Sequence, residues 1–418
     1  MDPYPQTKEE LENYISSGGD LNIITKNGGT LLTIFISSKD IESVRLLLEN
    51  KADPNIPNKD GNYPIHIAIL KIYTTRLLLN YNSPEQNTNS MDHNEYVMFL
   101  NLILLLLENK ADPNILNKCD DYPIHLASKC LNDITICQLL VDFGADIKAV
   151  NNRGDTILYS QCGRGNIDFV KWYLKHDINA KNANDSTPLH NSTSHPKILK
   201  LLLKSNMDFD ALNNGGNTPL HISMSNVINT SNDNKCIELL LEAGAKINIK
   251  NSHGQTPLHL AVTRKKTDKS HLLLKMSNID IHSADKEGDT PLHLATKNKM
   301  NEIVIKLLDM GAKQDILNKE GATPLHLATK NCMKEIVIKL LDMGADRSIL
   351  NKRGKTAHNL AVESGNSELI SIFDNYPSTV SLRTLCLRSI INGNVDTSNW
   401  PPLLFLQPNE IEENSNHK

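Results

Sequence analysis

Aromatic side chains are scarce: 7 Phe, 2 Trp and 10 Tyr in 418 residues, 5% of the chain. A sequence this poor in bulky rings cannot fill one large core and favours many small, locally built ones. Hydrophobic residues reach only 39%, while Asn occurs 49 times, a balance too polar for a membrane protein. The longest apolar run, Val97 to Leu107, is interrupted by Asn101. It falls well short of the ~18 residues a spanning helix requires, so it reads as a buried helix and no membrane insertion is expected. Charge of one sign is missing too. With 44 Lys plus Arg against 48 Asp plus Glu there is no basic excess for phosphate contacts, which argues against nucleic acid as a partner. Cysteine occurs seven times, at Cys119, Cys130, Cys137, Cys162, Cys236, Cys332 and Cys386, with no Cys-x-x-Cys pair. An odd number so arranged excludes a disulfide framework and a zinc knuckle, leaving reduced thiols, mostly in the core. Met1 to Glu10 has no basic segment leading into an apolar stretch, so no secretory signal is expected and the protein is placed in the cytoplasm, with the nucleus also open to it. The glycosylation sequons at Asn184, Asn191 and Asn229 then carry no weight.

What the chain does have is periodicity. Thr-Pro-Leu-His stands at Thr187, Thr218, Thr256, Thr290 and Thr323, and Tyr-Pro-Ile-His at Tyr63 and Tyr122. Weaker copies in the same register begin at Thr30, Ser90, Thr156 and Thr356, and the eleven positions are spaced 33, 27, 32, 34, 31, 31, 38, 34, 33 and 33 residues apart. Residues 290–322 and 323–355 are identical at 26 of 33 positions, which points to internal duplication.

The copy at Thr290 shows the physical logic. Thr290 is placed to cap a first helix, and Pro291 takes its first position, where a missing N–H costs nothing. Leu292 and Ala295 face inward. After a turn at Asn298 to Asn301, a second helix carries Ile303, Val304, Leu307 and Leu308 on one side. Gly311 ends that helix, as Gly144, Gly244 and Gly344 end theirs, and Asp315 to Ala322 turns back as a finger. A single such unit cannot cover its own apolar face, so stability must come from stacking on neighbours, with more polar units at the ends. The copy at Thr356 lacks the proline and shifts its His by one place, so its first helix is expected to start less cleanly.

The motif with a period near 33 resembles the ankyrin repeat, from roughly Thr7 to Asn375. The resemblance implies an all-α ankyrin-repeat solenoid of about eleven helix-turn-helix units with β-turn fingers, followed by a short C-terminal helical box. Residues 1–29 would be an N-terminal capping half-repeat, 30–375 the repeats and 376–418 a separate tail. It also implies a non-enzymatic, cofactor-free module, monomeric outside complexes, that binds a protein on the concave surface made by finger tips and first helices. At the tips a cation recurs: Lys59, Lys118, Arg153, Lys286, Lys319 and Lys352. These form either a basic strip for an acidic partner segment or simply polar turns, and acidic neighbours favour the second reading.

Seven histidines, His66, His125, His190, His221, His259, His293 and His326, hold the fourth motif position. Helices stacked ~8–10 Å apart cannot bring equivalent imidazoles within ~2.1 Å of one zinc ion, so hydrogen bonding between units is expected rather than a metal array. No Ser-His-Asp or Cys-His arrangement and no phosphate loop stands out, and catalysis is not expected. The polar stretch Ser225 to Asn234 is expected to enlarge a turn between helices.

Past Asp374 the pattern stops, and Pro377, Ser378 and Thr379 make a break. Ser381 to Ile390 reads as a short amphipathic helix with Leu382, Cys386 and Ile390 on one face, suited to a partner's groove. The Ser-Leu start and the Leu-Cys pair resemble the elongin-C-binding element of the SOCS box. Trp400-Pro401-Pro402-Leu403 resembles a degraded form of the element that selects a cullin. The resemblance implies an adaptor that recruits elongins B and C and a cullin ubiquitin ligase. The competing reading is a plain scaffold or host-directed effector whose terminal helix only caps the repeats.

Overall fold

A computed structural model of the chain describes residues 4–82, 93–131, 133–176, 181–205, 207–225 and 231–376. They fall into two compact units that divide between Asn214 and Gly215. Among the described residues the secondary structure is helical, with no strand beyond two isolated bridges, Ile24 to Thr30 and Val150 to Thr156, which close fingers.

The first unit opens with the helix Lys8–Ser16, capped by Thr7, whose Leu11 is fully buried beside the helix Ile41–Glu49. Helical pairs follow: Leu31–Ser38 with Ile41–Glu49, Pro64–Asn82 with His93–Glu108, Pro123–Leu126 with Ile134–Asp142, Ile157–Arg164 with Ile167–Tyr173, and Pro188–Asn191 with Pro196–Leu203. The second unit holds Pro219–Ser225 with Ser231–Glu242, Pro257–Thr263 with Thr267–Leu274, Pro291–Lys297 with Asn301–Asp309, Pro324–Lys330 with Lys334–Asp342, and Ala357–Glu363 with Ser367–Asn375. Within each unit successive pairs pack side by side. The second-helix stripe Ile303, Val304, Leu307 and Leu308 is fully buried, as are Leu292 and Ala295 of the first helix. Burying a side chain of that size stabilises by about 1.5–3 kcal/mol, so the layering of neighbours supplies what one pair cannot.

Four details differ from the sequence expectations. The copy expected at Ser90 does not open a pair of its own. Residues 83–92 lie outside the described set, and the flanking helices Pro64–Asn82 and His93–Glu108, of 19 and 16 residues, are the two halves of one long repeat. The apolar run from Val97 is therefore a single second helix, with Phe99, Leu102, Ile103 and Leu106 buried. The ten helical pairs among the described residues thus replace the eleven units read from spacing. The polar stretch near Ser225 only partly lengthens a turn, since Ser231 to Asn234 already belong to the second helix, which begins at Ser231.

The third difference is at Thr356, whose helix starts as cleanly as the others. The Asn359 amide N–H donates to Thr356 Oγ1 (3.1 Å) and the Thr356 N–H to Asn359 Oδ1 (2.9 Å), a complete capping box in which an amide oxygen takes the imidazole's place. The fourth is an irregularity with a reason in the numbering. The spacing from Tyr122 to Thr156 is 34, one above the 33-residue unit, and the extra residue is taken up as a π-helical turn, Ala127–Leu131. The neighbouring repeat meets its carbonyls: Gln161 Nε2 donates to Ser128 O and an Arg164 guanidinium nitrogen to Lys129 O, each at 2.6 Å.

One cap is imperfect. Where Tyr replaces Thr before the proline, no side-chain cap is made at Tyr122, and the buried Nδ1 atoms of His66 and His125 have no hydrogen-bond partner. A buried polar atom left unpaired costs free energy, and a threonine cap contributes about 1 kcal/mol. Tyr122→Thr should therefore stabilise the protein by about 1 kcal/mol, read as a higher urea midpoint at an unchanged m-value.

Candidate protein-binding surface

The fingers are built by one device. In the finger after Gly311, Asn318 Oδ1 accepts from the N–H groups of Glu320 and Ala322 (both 3.0 Å), and Gly321 turns back at φ 70°. Asn58, Asn117, Asn151, Asn182, Asn251, Asp285 and Asn351 do the same in theirs. An Asx side chain that mimics a backbone turn explains part of the asparagine excess. The fingers then zip to one another inside each unit. Lys59 N–H donates to Gly28 O (2.7 Å), Ala183 to Gly154 (3.0 Å), Lys286 to His253 (2.9 Å), Lys319 to Glu287 (2.8 Å) and Lys352 to Glu320 (3.1 Å). That approach requires glycine at the corner: a Cβ on Gly321 would lie 2.8 Å from Lys352 N.

The six tip cations occupy this zipper. Lys59, Lys118, Arg153, Lys286, Lys319 and Lys352 are all exposed. Four of them, Lys59, Lys286, Lys319 and Lys352, use their backbone N–H groups to join the preceding finger. Lys118 Nζ folds back on Lys59 O (2.6 Å), and Lys319 Nζ lies 3.6 Å from Glu287. They share a face within each unit, but part of their placement serves the fingers themselves. Between the tips and the first helices of the first unit lies an open groove of about 420 Å³, lined by Asn27, Gly28, Asn58, Asp60, Ile34 and Ile67. The tail residues Leu382, Cys386, Ile390, Pro401, Pro402 and Leu403 lie outside the described residues.

The histidines join neighbouring repeats, as their recurrence suggested. His293 Nδ1 accepts from the Thr290 N–H (3.2 Å), and a backbone amide can only donate, so the ring proton sits on Nε2. Nε2 then donates to Ala322 O of the next finger (3.1 Å). The same bridge runs from His221 to Gln255 O (3.0 Å), His259 to Asp289 O (3.2 Å) and His326 to Lys355 O (3.0 Å). In the first unit His66 reaches Asp121 O (3.1 Å) and His125 reaches Asp155 O (3.2 Å), while His190 accepts from the Thr187 N–H (3.1 Å). Burial holds these imidazoles neutral: it lowers the pKa of His125, His259, His293 and His326, and that of His66 from 6.5 to about 4. Both nitrogens are engaged in the Thr repeats, and among the described residues no group of three or more His, Cys, Asp or Glu is placed to hold a metal ion. Three thiols, Cys137, Cys162 and Cys236, are buried and two, Cys119 and Cys332, are exposed. No described helix is long and apolar enough to cross a membrane.

A family model for ankyrin repeats in three copies matches residues 6–92, 95–181, 160–251, 226–318 and 298–377. The chain belongs to the ankyrin-repeat family. It is 32% identical over 147 residues to an ankyrin repeat protein of Acanthamoeba polyphaga mimivirus, covering 33% of this chain and 19% of that one. Over 162 residues it is 26% identical to an ankyrin repeat protein of fowlpox virus, covering 38% and 18%. With human transient receptor potential cation channel subfamily A member 1 it shares 25% identity over 189 residues, 40% of this chain and 16% of the channel. The chain thus spans about a fifth of the length of these relatives. Among solved structures, the ankyrin repeat domain of Bcl-3, a member of the IkappaB protein family, aligns over 54% of this chain and all of that domain, at 27% identity and a TM-score of 0.47. Ankyrin repeats are protein-binding modules, and no catalytic family is indicated.

The burial of these rings makes stability depend on pH with a definite sign. Between pH 6.5 and about 4 the unfolded chain binds a proton at position 66 that the folded chain excludes. Stability therefore rises with pH across this window, is complete above pH 6.5, and at acid pH is lower by on the order of 3 kcal/mol for that residue. Urea unfolding at pH 7.5 and at pH 5 should show the fall, and a His66→Asn variant a shallower one.

Proposed function

We propose that the chain is a substrate-recognition adaptor: its repeats hold a target protein on the face of finger tips and first helices, and its tail recruits elongins B and C with a cullin ligase. The observation that carries the adaptor reading is the spacing of Leu382, Cys386 and Ile390 after a Ser-Leu start, directly behind the repeats. On this reading Leu382 and Cys386 fill an elongin C pocket and Ile390 extends the apolar contact. Pro401, Pro402 and Leu403 lie near the cullin. The chemistry of ubiquitin transfer belongs to those partners. The chain should co-purify with elongins B and C, and a Leu382→Asp, Cys386→Asp variant with unchanged melting should lose them. An unmutated sample free of elongins rejects the adaptor.

A second reading, a plain scaffold or host-directed effector whose tail caps the last repeat, draws on one side chain. Val262, Thr296 and Thr329 are fully buried, whereas Val362, at the same place in the last described repeat, is 53% exposed. A helix laid over Val362 would complete the apolar layer. Deletion from Ser378 onward should then lower the melting temperature and leave any ligase association unchanged, whereas loss of elongins on that deletion favours the adaptor.

The tip cations bear on the target. If the strip contributes, glutamate at Lys286, Lys319 and Lys352 together should weaken capture of an identified target several-fold, measured by titration at low salt. An unchanged affinity assigns these residues to the finger zipper alone.

A further inference from the structure

In the second unit, a row of cations that the finger strip does not include lies where first helices end, with Arg264, Lys265 and Lys299 in the turns and Lys330 as the last residue of the helix Pro324–Lys330. Arg264, Lys265, Lys299 and Lys330 are all exposed. Lys265 and Lys299 sit at φ 55° and 57°, the left-handed conformation that the last repeat of the unit gives to Gly365 at φ 64°. An L-residue other than Gly, Asn or Asp is held there only at a cost. Among the described residues several acids of these repeats are engaged elsewhere: Asp289 lies 3.9 Å from Lys297, Glu302 pairs with His271, Glu368 with Lys334, and Glu363 with Lys355, while the exposed Glu335 follows shortly after Lys330. None of these four ion pairs involves Arg264, Lys265, Lys299 or Lys330. The equivalent lysine of the first unit, Lys39 at φ 66°, is instead paired with Glu95. Charge is thus retained at the strained corner in two consecutive repeats, while the next gives that corner to Cys332 at φ 57° and carries its cation two places earlier, at Lys330. All four cations are left open to solvent.

We propose that this edge of the second unit docks an extended acidic segment of a protein partner, with a carboxylate for each repeat. Packed helices repeat at about 10 Å, and an extended polyproline-type chain rises about 9 Å over three residues, so carboxylates at every third position fall in step with the row. Side chains as long as lysine absorb the small mismatch. The inference deepens the protein-binding reading by naming the partner's chemistry, and it stands apart from the tail, whose elongin test succeeds or fails without it.

The test uses the whole chain and a fluorescent peptide of five Glu-Pro-Pro repeats. Saturable binding at low salt is expected. It should weaken at least about tenfold in an Arg264→Gln, Lys265→Gly, Lys299→Gly, Lys330→Gln variant, since screened surface pairs act together when in register. The two glycine substitutions should leave the melting temperature unchanged or raise it. A peptide with the same five glutamates at every fourth residue should bind more weakly. No binding, equal binding by the variant, equal binding by the four-residue spacing, a lowered melting temperature, or tighter binding of an oligodeoxythymidylate would each overturn the proposal.

Discussion

The neutral imidazole at the fourth position of each Thr-Pro-Leu-His repeat is the constraint on which the rest depends. It closes its own helix start through Nδ1 and reaches the next finger through Nε2, so one ring fixes both where a helix begins and how far away its neighbour lies. Its burial makes the arrangement all or none. A proton on Nδ1 would face a backbone donor, and a ring turned away would leave two buried groups unpaired. The finger zipper and the second-helix stripe then act on a spacing already set, and the binding face is the by-product: many side chains on tips and turns are left to vary, while some, such as Lys118 and Asn331, also tie neighbouring repeats together.

Most of this was legible because ankyrin architecture is local. Thr290, Pro291, His293, Gly311 and Asn318 each announce a backbone state within a few residues of themselves, and the repeat turns those local signals into a fold. What was not legible came from places where a neighbour overrides the local signal. The copy read at Ser90 rested on spacing alone, and the continuous helix His93–Glu108 wins because its apolar residues have a long partner helix to cover them. The clean start at Thr356 is hidden in the sequence because capping depends on the acceptor atom and not on the residue name, and the Asn359 amide supplies that atom as well as an imidazole does. Lys269 is the clearest case. It takes the second-helix core place held elsewhere by Ile303 and Ile336, and it is fully buried with its ammonium donating to Ser223 O at 2.7 Å. Sequence alone reads such a lysine as surface.

The candidate surface was legible in outline only. Lys59, Lys286, Lys319 and Lys352 stand out by their recurrence, yet their backbone amides have a joining role that recurrence cannot distinguish from partner recognition. The row at Arg264, Lys265, Lys299 and Lys330 escaped notice for the opposite reason. Each residue looks like an ordinary surface lysine or arginine until the left-handed backbone at Lys265 and Lys299 and the exposure of all four are known.

The π turn at Ala127–Leu131 bears on how such a chain tolerates change. One added residue would ordinarily rotate everything after it by about 100° around a helix axis. Here the surplus is spent within a single turn whose loosened carbonyls are met by Gln161 and Arg164. The phase of the following pair is restored at once. Insertions and deletions are thereby quarantined, and a lineage built this way can lengthen or trim one segment without renegotiating its neighbours.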